Sequence, residues 1–139
     1  MTADEILTLA GELFASNKPK SEALCRTIIG RSYYAAYHMS LSLFSELGLP
    51  RTSDHKDASR WLVESGDPNA KKAGRVLEAL YAARGRADYL LTDATAVHES
   101  RDVDFVKVQV EMAAEVKGLL QENYLIVFEK LTADRQPDR

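Results

Sequence analysis

The chain has 139 residues, 45% apolar and 28% charged, with one cysteine and a net charge of −3, which predicts a single domain large enough to build a core without disulfides. Cys25 alone excludes a disulfide-stapled scaffold and a thiolate zinc site, and predicts a reducing, cytoplasmic setting. Residues 1–5 have no basic stretch followed by an apolar run, and the longest apolar run, 124–128, is too short for a bilayer, so secretion and membrane insertion are not expected.

In chain order, Thr2 is placed to cap a first helix over residues 3–16, in which Ile6, Leu7, Leu9, Ala10, Leu13 and Phe14 recur at three-and-four spacing. Asn17-Lys18-Pro19 ends it. A longer helix starts near Ser21, runs through Leu24, Ile28, Tyr33, Tyr37, Leu41 and Phe44 to Gly48, and stops before Pro50. Gly30 inside it costs about 1 kcal/mol relative to Ala, which packing or function must offset. A polar loop over 51–57 precedes a short helix over 58–64, closed by Ser65-Gly66-Asp67-Pro68.

A fourth helix is expected over about 69–91, its apolar Val76, Leu77, Leu80, Tyr81 and Leu90 interspersed with Lys71, Lys72, Arg75, Arg84 and Arg86. Residues 92–102 read as a loop. Asp102 is placed to cap a last helix through Val106, Val110, Met112, Val116, Leu119, Leu120 and Phe128, and 132–139 form a polar tail. The expected architecture is all-α, an up-and-down bundle of four to five antiparallel helices, with residues 1–131 as one domain.

Charge is graded along the chain. Residues 51–92 hold 8 basic and 6 acidic side chains, whereas 93–139 hold 6 and 10. Without a broad positive field, any contact with phosphates must be local. The second helix offers such a place. At 100° per residue, Ile29, Tyr33, Ala36, Ser40, Phe44 and Leu47 share a core stripe, while Arg31 and His38 fall together on the opposite face, two turns apart. Their neighbours Leu24, Thr27, Ile28, Ala35 and Ser42 are small or apolar, as on a face that seeks a partner.

The run Gly30-Arg31-Ser32-Tyr33-Tyr34-Ala35-Ala36-Tyr37-His38, followed by Arg86-Ala87-Asp88-Tyr89, resembles the HEPN domain, specifically the small stand-alone prokaryotic proteins, over about residues 3–131. In that family an Arg, four to six residues and a His on one helix mark a metal-independent RNase; here six residues intervene. The resemblance implies a helical bundle that dimerises so that two Arg–His faces line a shared cleft. It implies His38 and Arg31 as catalytic residues, with Ser32, Tyr34 and Arg86 as substrate contacts. Ser32 stands where many family nucleases carry Asn or Asp, and Ser40 stands where some family toxins carry a Tyr that accepts AMP.

The residue types suit RNA cleavage. An imidazole titrates near neutrality and can move the 2′-hydroxyl or leaving-group proton. A guanidinium holds the phosphate through a planar donor fork. The expected role is a toxin of a toxin–antitoxin pair or another defence system, with RNA as substrate and no cofactor. The alternative is a noncatalytic module that binds nucleotide or pairs with a nucleotidyltransferase or other antitoxin, with Arg31 and His38 as interface residues. Tyr33, Tyr37 and Tyr89 are expected to pack, Asp88 to pair with Arg84 or with a basic residue across the bundle, and Cys25 to be a small buried or half-buried side chain. His55 and His98 fall in expected loops and lack metal-ligand spacing. No phosphate loop, nucleophile elbow or dinucleotide fingerprint is present.

Overall fold

The computed structural model describes residues 1–49 and 54–122. They form α1 (Ala3–Ala15), α2 (Glu22–Glu46), α3 (His55–Val63), α4 (Pro68–Tyr89), α5 (Ala94–Arg101) and α6 (Val103–Lys117), followed by a π-helical turn over Gly118–Glu122. No strand occurs among the described residues. Pro50, residues 51–53 of the expected loop, the part of the expected last helix beyond residue 122 and the expected polar tail lie outside them.

Local capping starts these helices. Thr2 and Glu5 form a reciprocal box: the Glu5 amide donates to the Thr2 hydroxyl at 3.1 Å and the Thr2 amide to the Glu5 carboxylate at 2.9 Å. Ser21 accepts from Leu24 N at the start of α2. Asp67, buried, accepts from Ala70 N at 2.8 Å, and Pro68 occupies the first position of α4, where no donor is needed. Gly48, at φ 71°, supplies the left-handed residue just past α2.

Two boundaries differ from the sequence reading. Asp54 accepts from Lys56 N and starts α3 at His55, three residues before the expected start at Ala58. The expected loop 92–102 contains α5: Asp93 accepts from Ala96 N at 3.1 Å, and only Ala96 and Ser100 of this helix are buried. Eight residues with two small inward positions leave no apolar stripe, so the helix has no periodic signature. His55 and His98 are therefore helical.

Helix α2 runs through the middle of the molecule, packed against α1, α4 and α6, while α3 lies on α4. One core cluster joins Tyr33, Tyr37, Leu43 and Phe44 of α2 to Leu62, Leu77, Leu80 and Val116. A second joins Cys25, Ile28 and Ile29 to Ala83, Ala87 and Val106. The single stripe expected for α2 is thus too narrow. Ile28 and Ala35, assigned to a partner-seeking face, are fully buried by this chain's own helices. Cys25 is buried as expected, and burial pushes its thiol pKa up against the opposing pull of Lys20.

Gly74 sets how closely α3 approaches α4. A Cβ there would lie 2.8 Å from the Ser59 carbonyl oxygen, 2.9 Å from Leu62 Cβ and 2.7 Å from Val63 Cγ2. A backbone atom and a Cβ cannot swing aside as a side-chain end can. Gly74→Ala is expected to lose about 1–3 kcal/mol to overpacking, outweighing the gain of about 1 kcal/mol in helix propensity. A raised urea midpoint for this variant would contradict the seating of α3.

Candidate functional site

Burial on nearly all sides leaves α2 one narrow open strip. Thr27, Arg31, His38 and Ser42 are exposed along it, with Tyr34 and Leu41 half-buried between them. The face on which the sequence placed Arg31 and His38 is therefore open at those two positions, although its apolar neighbours are largely covered. Among the described residues Arg31, like the exposed Arg75 of α4, makes no hydrogen bond or ion pair, whereas Arg26, Arg60, Arg84, Arg86 and Arg101 each have a carboxylate partner. A cation left unpaired in a mildly acidic chain is free to meet an anion from outside.

Arg31 lines a shallow depression of about 170 Å³ together with Thr27, Gly30, Tyr34 and Asp88. Gly30 faces Asp88 across this depression: a Cβ on it would sit 3.4 Å from Asp88 Oδ1, an ordinary contact with a side-chain end, so packing alone does not account for the helix-propensity cost of this glycine. His38 stacks over Tyr34, ring centres 6.3 Å apart, and leans on Tyr37 at 5.4 Å. Arg31 and His38 are thus bridged by the Tyr34 ring, which meets both the depression and the imidazole.

Helix α4 completes the site from the other side. Tyr81, Arg84 and Asp88 fall at i, i+3 and i+7, a single helix face turned to α2. The Arg84 guanidinium lies 5.0 Å from the Tyr34 ring centre and 5.3 Å from that of Tyr89. It donates to the Tyr34 hydroxyl and pairs with Asp88 Oδ2 at 2.9 Å, as the i, i+4 spacing predicts. Its Nε–H has no aligned acceptor, so that pairing is ionic without a directed hydrogen bond. Burial opposes the Arg84 charge, but the Tyr34 hydroxyl, Tyr89 and Asp88 outweigh it and raise its pKa. Tyr89, expected to pack, is instead 70% exposed at the end of α4.

The first residue of α3 also belongs here. His55 Nδ1 is hydrogen-bonded to the Tyr33 hydroxyl, and the ring lies 4.4 Å from Tyr37 and 5.5 Å from Tyr81. Burial, then the nearby Arg84 charge, lower the His55 pKa, with Asp54 opposing and His38 reinforcing the shift. Burial chiefly pushes the Tyr33 pKa far up, so its phenol stays protonated.

The depressed His55 value links to stability with a defined sign. Above the ordinary 6.5 neither folded nor unfolded chain protonates this imidazole appreciably. Below it, the unfolded chain takes up the proton first, so His55 costs stability as pH falls toward its lower folded value. The urea midpoint is expected to drop between pH 7.5 and 5.5 by more in the wild type than in His55→Asn; equal drops would show that His55 contributes nothing.

Two residues named as substrate contacts lie apart from this cluster. Ser32 is fully buried and donates to the Ile28 carbonyl at 2.9 Å, because its position on α2 faces inward. Arg86 forms a two-pronged pair with Glu99 at 2.6 and 2.9 Å, on the side of α4 that meets α5. That hydrogen-bonded pair raises its pKa against the effect of burial. Arg31, Tyr34 and His38 are brought together; Ser32 and Arg86 are not.

The residues missed by sequence reasoning are His55, Tyr81 and the central role of Arg84. The i, i+3, i+7 spacing on α4 is a legible signal for two of them, whereas nothing local marks His55. Among the described residues no group of three His, Cys, Asp or Glu side chains could hold a metal ion, and no helix is long and apolar enough to cross a membrane. No protein-family model, curated protein or solved structure matches the chain.

Proposed function

We propose that the chain is a HEPN-type, metal-independent endoribonuclease acting as a homodimer in the cytoplasm, the toxin of a toxin–antitoxin or related defence system. What carries the reading is the unpaired Arg31 on the same open strip of α2 as the exposed His38, with Tyr34 between them. Arg31 clamps the scissile phosphate and stabilises its developing charge. His38 transfers a proton to or from the reacting oxygens, leaving a 2′,3′-cyclic phosphate. Tyr34 offers a ring on which a base can stack. The few local cations overcome the acidic total only inside a cleft, which a second copy facing this strip would enclose.

The test is labelled RNA incubated with purified protein in EDTA. Cleavage by the wild type that is lost in both Arg31→Ala and His38→Ala supports the reading. Equal residual cleavage in all three is contamination and refutes it. A monomer by light scattering at micromolar concentration would remove the shared cleft.

A second reading, a noncatalytic module that docks a nucleotidyltransferase or other antitoxin, is supported by Tyr89, Leu90 and Leu91. These are 70, 44 and 63% exposed in succession at the end of α4, an unusual apolar run on a surface. Under that reading charge reversal at Arg31 weakens partner binding, and no RNA is cleaved.

A further inference from the structure

We infer that His55 is the second proton-transfer group of this site, the base that takes the 2′-hydroxyl proton while His38 protonates the leaving oxygen. This inference rests on the ribonuclease reading and assigns a catalytic residue that the Arg31–His38 spacing does not contain.

Cleaving RNA by internal attack moves two protons in opposite senses. The 2′-oxygen loses one as it bonds to phosphorus, and the 5′-oxygen gains one as the P–O5′ bond breaks. The products are a 2′,3′-cyclic phosphate and a free 5′-hydroxyl. A single imidazole can serve both events only in turn, whereas two imidazoles on opposite sides of the phosphate serve them together.

His38 and His55 lie against one and the same ring, Tyr37, at 5.4 and 4.4 Å between ring centres. Tyr37 is almost wholly buried, so it fixes their separation. His55 is half-buried and retains an open side. When its proton sits on Nδ1, the Tyr33 oxygen accepts it and Nε2 keeps its lone pair free of that contact. Taking up a second proton then makes an imidazolium still anchored by Tyr33, a fixed ring orientation of the kind an efficient base requires.

The charged and titratable groups facing His55 suit a base. From α2 come Tyr33, Tyr37 and His38, and from α4 come Tyr81 and Arg84; Asp54, the preceding residue, is the acidic group that acts on it. Burial first, and the Arg84 charge second, hold the His55 pKa below its ordinary value. The negative phosphate, once bound at Arg31, would offset that cation and ease proton uptake.

The test is the pH dependence of kcat/KM for a labelled RNA oligonucleotide in EDTA. The wild type should give a bell, its rising limb set by the base and its falling limb by the acid. His55→Asn retains a hydrogen-bonding group for Tyr33 but cannot titrate. It should lose roughly 10²–10⁴-fold in rate and its rising limb, yet bind a 2′-O-methyl RNA as the wild type does. A full bell within threefold of the wild-type rate in His55→Asn overturns the inference. If at the same time Arg31→Ala and His38→Ala abolish cleavage, the ribonuclease reading survives and only the role of His55 falls. No cleavage by the wild type overturns both. Should His55→Asn fail to fold, the His55 ring signal of the wild type decides: it must move when 2′-O-methyl RNA binds, and an unmoved signal refutes the assignment.

Discussion

Arg31→Ala and His38→Ala are each expected to slow RNA cleavage by roughly 10²–10⁴-fold while leaving thermal unfolding unchanged. The rate loss and the unchanged stability have different physical causes. The kinetic loss follows from removing the phosphate clamp or a proton-transfer group. The unchanged stability follows from exposure, since both side chains stand on the open strip of α2 and Arg31 has no described partner to orphan. His38→Ala forfeits only ring contacts with Tyr34 and Tyr37, one face of which is already wet. Rate measured by gel against circular-dichroism melting separates chemistry from folding. A variant that melts early and cleaves slowly would return both residues to a structural role. Arg31→Lys adds a finer test, because a point charge without the planar fork should restore part of the rate and not all of it.

Arg26→Met is expected to cost about 2–3 kcal/mol of stability, the largest single loss short of opening the core. Its guanidinium lies buried at the end of α4, donating to the carbonyls of Ala87 at 2.8 Å, Leu91 at 3.2 Å, Arg86 at 3.3 Å and Leu90 at 3.4 Å. It also pairs with Glu22, one turn earlier on α2, at 3.3 Å. A helix ends with carbonyls that lack amide partners and with a negative dipole end. Arg26 answers both from a different helix. Methionine fills the volume but donates nothing, leaving the Ala87 carbonyl buried and unpaired. Urea denaturation gives the magnitude, and faster amide exchange at residues 86–91 should accompany it. A loss below about 0.5 kcal/mol would mean that water satisfies these carbonyls and that Arg26 is a bystander.

The consequence for the site is direct. The α4 end held by Arg26 carries Asp88 and Tyr89, and Asp88 closes the depression around Arg31. A stability contact on one side of α2 therefore positions the Asp88 wall of the depression beside Arg31. Arg26→Met should weaken RNA binding indirectly, whereas Arg31→Ala weakens it at constant fold.

Legibility in the sequence follows the range of the physics. Thr2, Ser21 and Asp102 mark helix starts because a cap is a contact within three residues. Arg31 and His38 are legible as one face because seven residues span two turns of any α-helix. The Arg84–Asp88 pair is legible for the same reason. By contrast, α5 buries only Ala96 and Ser100, too little for a periodic pattern to stand out from a polar loop.

Composition and local spacing thus established an all-helical chain, its main helix starts and the shared face of Arg31 and His38. Packing between distant segments decided the rest. It buried Ile28 and Ala35, which in isolation read as a sticky face, because α2 is covered by α1, α4 and α6. It turned Ser32 inward and gave Arg86 to Glu99. It carried His55 across 22 residues of chain to Tyr33, beside the imidazole that helical spacing had already singled out. Such contacts depend on how whole helices seat against one another, down to the missing side chain of Gly74, and no short window of sequence contains that information.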